Sequence, residues 1–401
     1  MKVLVAPAHV FLEEGYGSEV ACACNIISAL SASFGVQMDV ICGEGTLNGS
    51  NGNLFKVGFS KGDMYNRAFF IYKYYVLAKK FLEKIDIVHH MFPFDFRVGF
   101  NPLAVFGHLK NKPFIIGPIQ YPQEFSDITD YMWASGKRGT WARLSYHTEG
   151  AIRKLVLKPL NELHSLTLKE AEVLVFDSKT TLELCKKHYA DIPDSTVLKV
   201  IPPGVETEFF IPSDFTNSTR KSRFEILTVG YLLRRKGLQY LIRAMSDIVE
   251  EVGNVTLRVV GNGPYMVNLM RLTQDLSLER HVEFSDYVRR RELHKVYANC
   301  DVYVQPSLSE AFPATIREAM AAGRPVVATD VGVVTEFMKD GFNGCLVPPK
   351  SSRKLARKIA DLLLNEERRA KIGQQGREYA EKNFNWHKLT KAWYEVYNCA
   401  V

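Results

Sequence analysis

Short runs of aliphatic, largely β-branched residues recur along the whole chain, each followed by a longer stretch with helical periodicity. KVLVA, MDVICG, DIVHH, PFIIG, EVLVFDS and LKVIPP come first, then EILTVG, LRVVG, DVYVQP and PVVATD. A strand that is apolar at consecutive positions is buried on both faces, so these runs predict parallel sheets covered by helices on either side. Strict alternation of strand and helix gives the doubly wound α/β class. The pattern restarts near residue 224, after the polar, turn-rich PSDFTNSTRKS at 212–222. Two Rossmann-like domains in series are expected, an N-terminal one over 1–205 and a C-terminal one over 206–380, followed by an aromatic-rich terminal helix over 381–401.

The 401 residues, 46% hydrophobic and 24% charged, suffice for two full cores and exclude a disordered chain. No apolar run approaches the roughly 20 residues of a membrane span, and the opening VLVA is too short for a signal-peptide core. The expectation is a cytoplasmic protein. The seven cysteines form no CxxC pair, no histidine–carboxylate cluster has ligand spacing and no Asp-x-Asp occurs, so neither a metal nor another cofactor is expected. A net charge of +7 suits an anionic partner such as a nucleotide diphosphate, a phospholipid surface or a nucleic acid. No recognised motif supports the last, and nucleic acid is set aside.

In doubly wound sheets ligands collect at the carboxyl ends of the strands, so two such domains are expected to share a cleft lined by those ends. EILTVG ends at Gly230, and YLLRRKG leads into helical LQYLIRAMSDIVEE, placing Arg234, Arg235 and Lys236 beside a helix N-terminus. Unsatisfied amides and a mobile ammonium make an anion site there, although a solvated basic turn has the same spelling. LRVVG runs into Gly261-Asn262-Gly263-Pro264, either a close approach of backbone to ligand or a plain strand-to-helix turn.

SLSEAFPATIREAMAAGRPVVATDVG reads as loop, helix, glycine stop and strand, with Pro313 in the first helical turn and Gly323 at the end. Glu310 precedes that helix and Glu318 lies inside it, roughly 7.5 Å beyond Pro313 along the axis. With a diphosphate on the helix N-terminus, Glu310 reaches a sugar on one side and Glu318 a ribose diol on the other. Surface acids near a helix start would share the spacing.

Glu310-x7-Glu318 in this frame closely resembles the hallmark of glycosyltransferase family 4, whose members have the GT-B fold of two Rossmann-like domains. The similarity extends to the glycine loop at 15–19, DIVHH at 86–90, VLKVIPPGVETEFF at 197–210, the Lys236-Gly237 turn, GNGP and NGCLVPP at 343–349. The resemblance implies a retaining, metal-independent hexosyltransferase that takes a sugar from a nucleotide-diphosphate donor to a glycan, lipid-linked or small-molecule acceptor. It implies that Glu310 binds hydroxyls of the transferred sugar, Glu318 the ribose and Lys236 the distal phosphate. Amides around Phe312, Pro313 and Ala314 would approach the diphosphate, backbone near Val288 would read the base, and the terminal helix would pack back on the first domain. Tyr231 stands where the family often has an arginine, leaving Arg234 or Arg235 to replace it, Arg235 being the nearer to Lys236. Ala311 and Pro313 replace glycines usual in the donor loop. Two other readings stay open on the same fold, a sugar-nucleotide epimerase and a catalytically weak nucleotide-sugar-binding protein.

In the first half, FLEEGYGSEVACACNIISAL resembles the family's glycine loop facing the donor phosphates, with Gly17 and Ser18 closest. The family commonly has a histidine near the end of the DIVHH strand; its usual spacing falls on Met91, and His90 is the candidate here. The stretch from Tyr131 to Leu163 is basic and carries Trp133 and Trp141. Such a stretch rests on an anionic membrane or binds a lipid-linked acceptor, and an acceptor-side lid is the equal alternative. MYNRAFFIYKYYVLAKKFL at 64–82 has the same character.

Overall fold

The computed structural model describes residues 1–8, 18–42, 51–57, 64–91, 100–109, 111–121, 132, 139–189, 192–212 and 223–401. Gly15, Gly17, Trp133 and nearly all of the 212–222 stretch lie outside them. The chain divides into two compact units. The first comprises Met1–Pro122, His147–Pro203 and Trp386–Val401; the second comprises Gln123–Tyr146 and Gly204–Asn385.

The first unit runs β1 (Lys2–Ala8), α1 (Ser18–Phe34), β2 (Gln37–Cys42), β3 (Leu54–Lys56), α2 (Met64–Lys79), β4 (Ile87–His90), α3 (Pro102–Val105), β5 (Phe114–Ile119), α4 (Thr140–Lys169, shared with the second unit), β6 (Val173–Phe176), α5 (Lys179–His188) and β7 (Val197–Val200). Its strands lie in the order β3-β2-β1-β4-β5-β6-β7, all parallel. β1 shows why consecutive apolar residues were needed. Val3 and Val5 enter one core with α1, whereas Leu4 and Ala6 enter the other with Tyr74 and Ala78 of α2.

The second unit holds β8 (Phe224–Val229), α6 (Leu238–Val252), β9 (Val255–Val260), α7 (Met266–Asp275), β10 (Val282–Ser285), α8 (Leu293–Asn299), β11 (Val302–Gln305), α9 (Ala314–Ala321), β12 (Val326–Thr329), α10 (Val334–Phe337), β13 (Cys345–Val347), α11 (Ser352–Leu364) and α12 (Glu366–Asn383). Its parallel sheet has the order β10-β9-β8-β11-β12-β13. Three strands escape the reading of apolar runs: β3, β10 and β13. All three are sheet edges of three or four residues with only partly buried sequences, LFK, VEFS and CLV. Two or three apolar residues, broken by Lys, Glu or Ser in LFK and VEFS, write too short a run, whereas the fourth edge, β7, is read from LKVIPP.

The tail is two helices rather than one. α12 stops at Asn383, Phe384 packs edge-on to Phe312 and Phe337, and Asn385 donates from Nδ2 to Thr207 Oγ1 at 2.6 Å. After this break α13 (Trp386–Ala400) returns to the first unit and packs on α1. It buries Trp386, Leu389, Trp393, Val396 and Tyr397, the stripe expected of one helical face. No helix among the described residues is long and apolar enough to cross a membrane.

His89 of β4 ties α13 to the sheet. Its Nδ1 lies 2.8 Å from the Tyr397 hydroxyl and its Nε2 lies 2.8 Å from the Gly117 carbonyl oxygen. A neutral ring satisfies both partners, with Nε2–H donating to Gly117 and Nδ1 accepting from Tyr397. Burial pushes the His89 pKa down to about 4, the Gly117 carbonyl opposing that fall. Because the folded value lies below the unfolded one, the stability gained is whole above about pH 6.5 and drains as pH falls toward 4, by up to roughly 3 kcal/mol. Thermal unfolding should therefore drop more steeply between pH 7 and pH 4.5 in the wild type than in His89→Gln, whose amide donates and accepts without titrating; equal slopes would contradict this role.

Candidate functional site

The carboxyl ends of β8 and β11 and the start of α9, all within the second unit, bring Lys236, Arg235 and Glu310 together. Lys236 ends a 3-10 turn of Arg234–Lys236, and Gly237 then opens α6 with φ 70°. A methyl group at Gly237 would stand 1.8 Å from the carbonyl oxygen of Pro306, so only glycine lets the turn lie against the β11 loop. That contact, with Leu308 N–H donating to the Arg235 carbonyl at 2.7 Å, fixes the cationic turn beside Glu310.

Glu310 is 3% exposed, and three donors converge on its Oε1. Lys236 Nζ lies at 2.6 Å, Ser307 Oγ at 2.6 Å and Gln305 Nε2 at 2.9 Å. Gln305 is itself held, its Oε1 accepting from the Tyr303 hydroxyl at 2.6 Å and from Thr315 Oγ1 at 3.1 Å. Oε2 of Glu310 accepts no hydrogen bond among the described residues. Burial alone would raise the Glu310 pKa, but the charges of Lys236 and Arg235 and the bonds from Lys236 and Ser307 hold it below the usual carboxylate range. The site therefore keeps a buried anion at neutral pH, with three donors on Oε1 and none on Oε2 among the described residues.

Arg235 also donates from Nη1 to the Ser309 carbonyl at 3.3 Å. Tyr231 is 37% exposed. A crevice of only about 10 Å³, room for no more than a water, opens among Gly230, Tyr231, Lys236, Val260 and Gln305. Gly261 and Gly263 sit in the loop after β9, interlocked with the loop after β8: Leu232 N–H donates to Asn262 at 2.8 Å and Tyr265 N–H to Leu232 at 2.9 Å. A methyl at Gly261 would fall 2.0 Å from the Gly230 carbonyl oxygen, so close loop packing already accounts for that glycine.

α9 begins at Ala314 after Pro313, and no side chain caps it; α6 likewise lacks a side-chain cap. First-turn amides without capping side chains are anion donors, and both helices start next to the Lys236–Glu310 pair in the chain. Phe312 turns its ring into a stack on Phe337, 5.1 Å between centroids, with the Arg317 guanidinium 5.3 Å from its own ring centre. Its side chain anchors the loop, which leaves only its backbone for a ligand.

Glu318 lies within α9 and is nearly buried, yet both oxygens have partners. Tyr297 donates to Oε2 at 2.9 Å, and Arg290 Nη1 donates to Oε1 at 3.3 Å while its Nη2 reaches Glu206 Oε2 at 2.6 Å. Val288 is half-buried in the loop between β10 and the Arg290 turn. His90 closes β4 in the first unit, 1% exposed, its Nδ1 3.3 Å from Asn101 Nδ2. Asn101 also bonds the Ala6 carbonyl and accepts from the Tyr74 hydroxyl, making this a buried polar knot. On α4, Trp141 and Leu144 are 76% and 59% exposed. Among the described residues no three His, Cys, Asp or Glu side chains are grouped to hold a metal ion.

Sequence reasoning missed Gln305, Ser307, Tyr297, Arg290 and Glu206. Gln305 had a readable signal, a polar residue ending an otherwise apolar buried strand. Arg290 was hidden in the run VRRRE, and Tyr297 in a helix where an aromatic reads as core.

The model of the family described as "Glycosyl transferases group 1" matches residues 212–379, which hold the Lys236, Glu310 and Glu318 groups. A D-inositol 3-phosphate glycosyltransferase of Corynebacterium efficiens is 31% identical over 294 residues, 66% of this chain and 68% of that protein. A GDP-mannose-dependent alpha-(1-6)-phosphatidylinositol monomannoside mannosyltransferase of Mycolicibacterium smegmatis is 30% identical over 230 residues, 54% of this chain. The match spans 59% of the length of that relative. In three dimensions a sucrose-phosphate synthase of Thermosynechococcus elongatus superposes with a TM-score of 0.70 at 19% identity, covering 99% of this chain and 98% of that one. The fold is GT-B, and the chain belongs to the Glycosyl transferases group 1 family.

Proposed function

We propose that the protein is a retaining, metal-independent hexosyltransferase that uses a nucleotide-diphosphate sugar, with Glu310 and Lys236 at the reacting end of the donor. The observation that carries this reading is Glu310 itself, a buried anion with Oε1 saturated by Lys236, Ser307 and Gln305 and Oε2 left to accept sugar hydroxyls. In this reading the arriving diphosphate draws Lys236 from the carboxylate, and Arg235 and the amides of Phe312, Pro313 and Ala314 meet the same phosphates. Within the second unit Gly261 and Gly263 border the phosphates, Val288 the base and Glu318 the ribose; Gly17, which lies outside the described residues, and His90 of the first unit are carried as donor-side candidates on the family resemblance alone.

The chemistry needs no protein nucleophile. The bond from the anomeric carbon to the distal phosphate oxygen breaks with its electron pair going to that oxygen. The acceptor oxygen bonds the same carbon on the same face, and its proton passes to the departing phosphate oxygen. Lys236, Arg235 and the α9 N-terminus take up the growing charge, the role a divalent ion fills elsewhere. The acceptor is a glycan, a small molecule or, in view of exposed Trp141 and Leu144 on α4, a lipid-linked molecule met at an anionic cytoplasmic membrane face. The mannosyltransferase relative's name, which includes phosphatidylinositol, supports the lipid-linked choice.

Lys236→Met should reduce kcat by roughly 100-fold or more by removing one preorganised cation. Glu310→Gln should lower turnover while leaving nucleoside diphosphate affinity within about threefold, because its partner is the sugar; added EDTA should change neither. Activity lost to EDTA and restored by a divalent ion would contradict the metal-free reading. In urea unfolding, Lys236→Met should also cost about 2–3 kcal/mol by stranding a buried carboxylate, and the Lys236→Met/Glu310→Gln pair should recover part of it. No recovery would mean the two side chains are not energetically coupled.

A further inference from the structure

Arg290 has no role in the reading above, yet it holds the carboxylate assigned to the ribose. Its guanidinium bridges two carboxylates from distant parts of the second unit, Glu318 on α9 and Glu206 just after the chain enters that unit at Gly204. The two bonds are unequal. Nη2 to Glu206 is 2.6 Å, a short charge-assisted bond, whereas Nη1 to Glu318 Oε1 is 3.3 Å, at the long end of the range. The other oxygen of Glu318 takes the opposite kind of partner. Tyr297 is fully buried, and burial together with the Glu318 carboxylate raises its pKa well above the ordinary phenol value, so it stays a proton donor to Oε2.

We propose that Arg290 is a positioning residue for donor selection: anchored on Glu206, it aligns the Glu318 carboxylate and yields Oε1 to the ribose diol when a nucleotide binds. The inference rests on the ribose assignment of Glu318. A carboxylate in mid-helix held by one hydrogen bond still turns about its last torsion; a second donor on the other oxygen fixes its plane. A guanidinium does this where an ammonium would not, because its planar fork spans two acceptors at once. The long Nη1 contact costs little to exchange for two ribose hydroxyls, and the short Glu206 contact keeps Arg290 beside the incoming anion. Glu206 is thus the counter-ion that stops Arg290 from locking Glu318 outright.

The test compares UDP and GDP with their 2′-deoxy counterparts by calorimetry, using whichever pair the wild type binds more tightly, so that ribose recognition is read separately from overall affinity. Hydrogen bonds to a charged group of this kind correspond to a ribose preference of roughly tenfold or more. Glu318→Gln should abolish that preference, and Arg290→Gln should cut it to within about threefold. Arg290→Lys should restore only part, and Arg290→Gln should change nothing further when made in the Glu318→Gln background. If Glu318→Gln loses the preference but Arg290→Gln keeps it, the inference about Arg290 is overturned and the ribose assignment stands. If Glu318→Gln keeps it as well, the assignment itself fails. Circular dichroism melting of each variant identifies any that do not fold, and for those the milder Glu206→Gln carries the test, with a preference retained in full counting against the proposal.

Discussion

A carboxylate held ionised almost out of contact with water is the constraint around which the second unit is organised. Left alone, Glu310 would take up a proton or pull the loop toward solvent, since an unpaired buried charge costs several kcal/mol. Instead one oxygen collects an ammonium, a hydroxyl and an amide, and each of those donors is fixed by a second partner or a glycine turn. The Gly237 contact with Pro306 sets Lys236, and Tyr303 with Thr315 sets Gln305. This polar knot stabilises the loop between β11 and α9 in one shape while, among the described residues, Glu310 Oε2 takes no hydrogen bond. A site built so holds its electrostatics ready before a ligand arrives, which is what stabilisation of a leaving diphosphate requires.

The same buried layer continues to the second carboxylate. Tyr303, which holds Gln305, lies 5.6 Å by ring centroid from Tyr297, whose hydroxyl bonds Glu318. Glu310 and Glu318 are therefore connected by interior side chains beneath α9, although they differ in what they face. Glu310 meets a lysine ammonium, whereas Glu318 meets a guanidinium pinned by Glu206. Arg377 adds to the stiffness beneath them, donating to the carbonyls of Thr207 and Phe210 at 2.8 and 2.7 Å and also to Ala321 at the end of α9. The first unit shows the corresponding device in its core, where neutral His89 joins β4, β5 and α13.

The fold was legible because two-sided burial writes itself into sequence: strands that must satisfy two cores are largely apolar on both faces, and each interior strand named from such a run is present. Edges β3, β10 and β13 were not legible, since their apolar runs are at most three residues long, and neither was the break at Phe384–Asn385, made by tertiary contacts with Phe312 and Thr207. At the site, the residues readable in sequence were those whose position at an element end gives them a reason, Lys236 before Gly237, Glu310 before α9 and Glu318 within it. Of their partners only Gln305, a polar residue ending a buried strand, carried a signal; Tyr297, Arg290 and Glu206 come together only through sheet order and loop packing. Of the glycines, Gly237 and Gly261 carry a second lesson. Both meet a backbone carbonyl of a neighbouring loop, so a glycine that looks made for a ligand is required first by the fold.

The most direct test of the account is a crystal structure with the intact nucleotide-diphosphate sugar that binds best. Lys236 Nζ should then have moved from Glu310 onto the distal phosphate, with sugar hydroxyls within hydrogen-bond distance of Glu310 Oε2 and Glu318 Oε1 on the ribose. A diphosphate bound elsewhere, with the 2.6 Å Lys236–Glu310 pair intact, would contradict it.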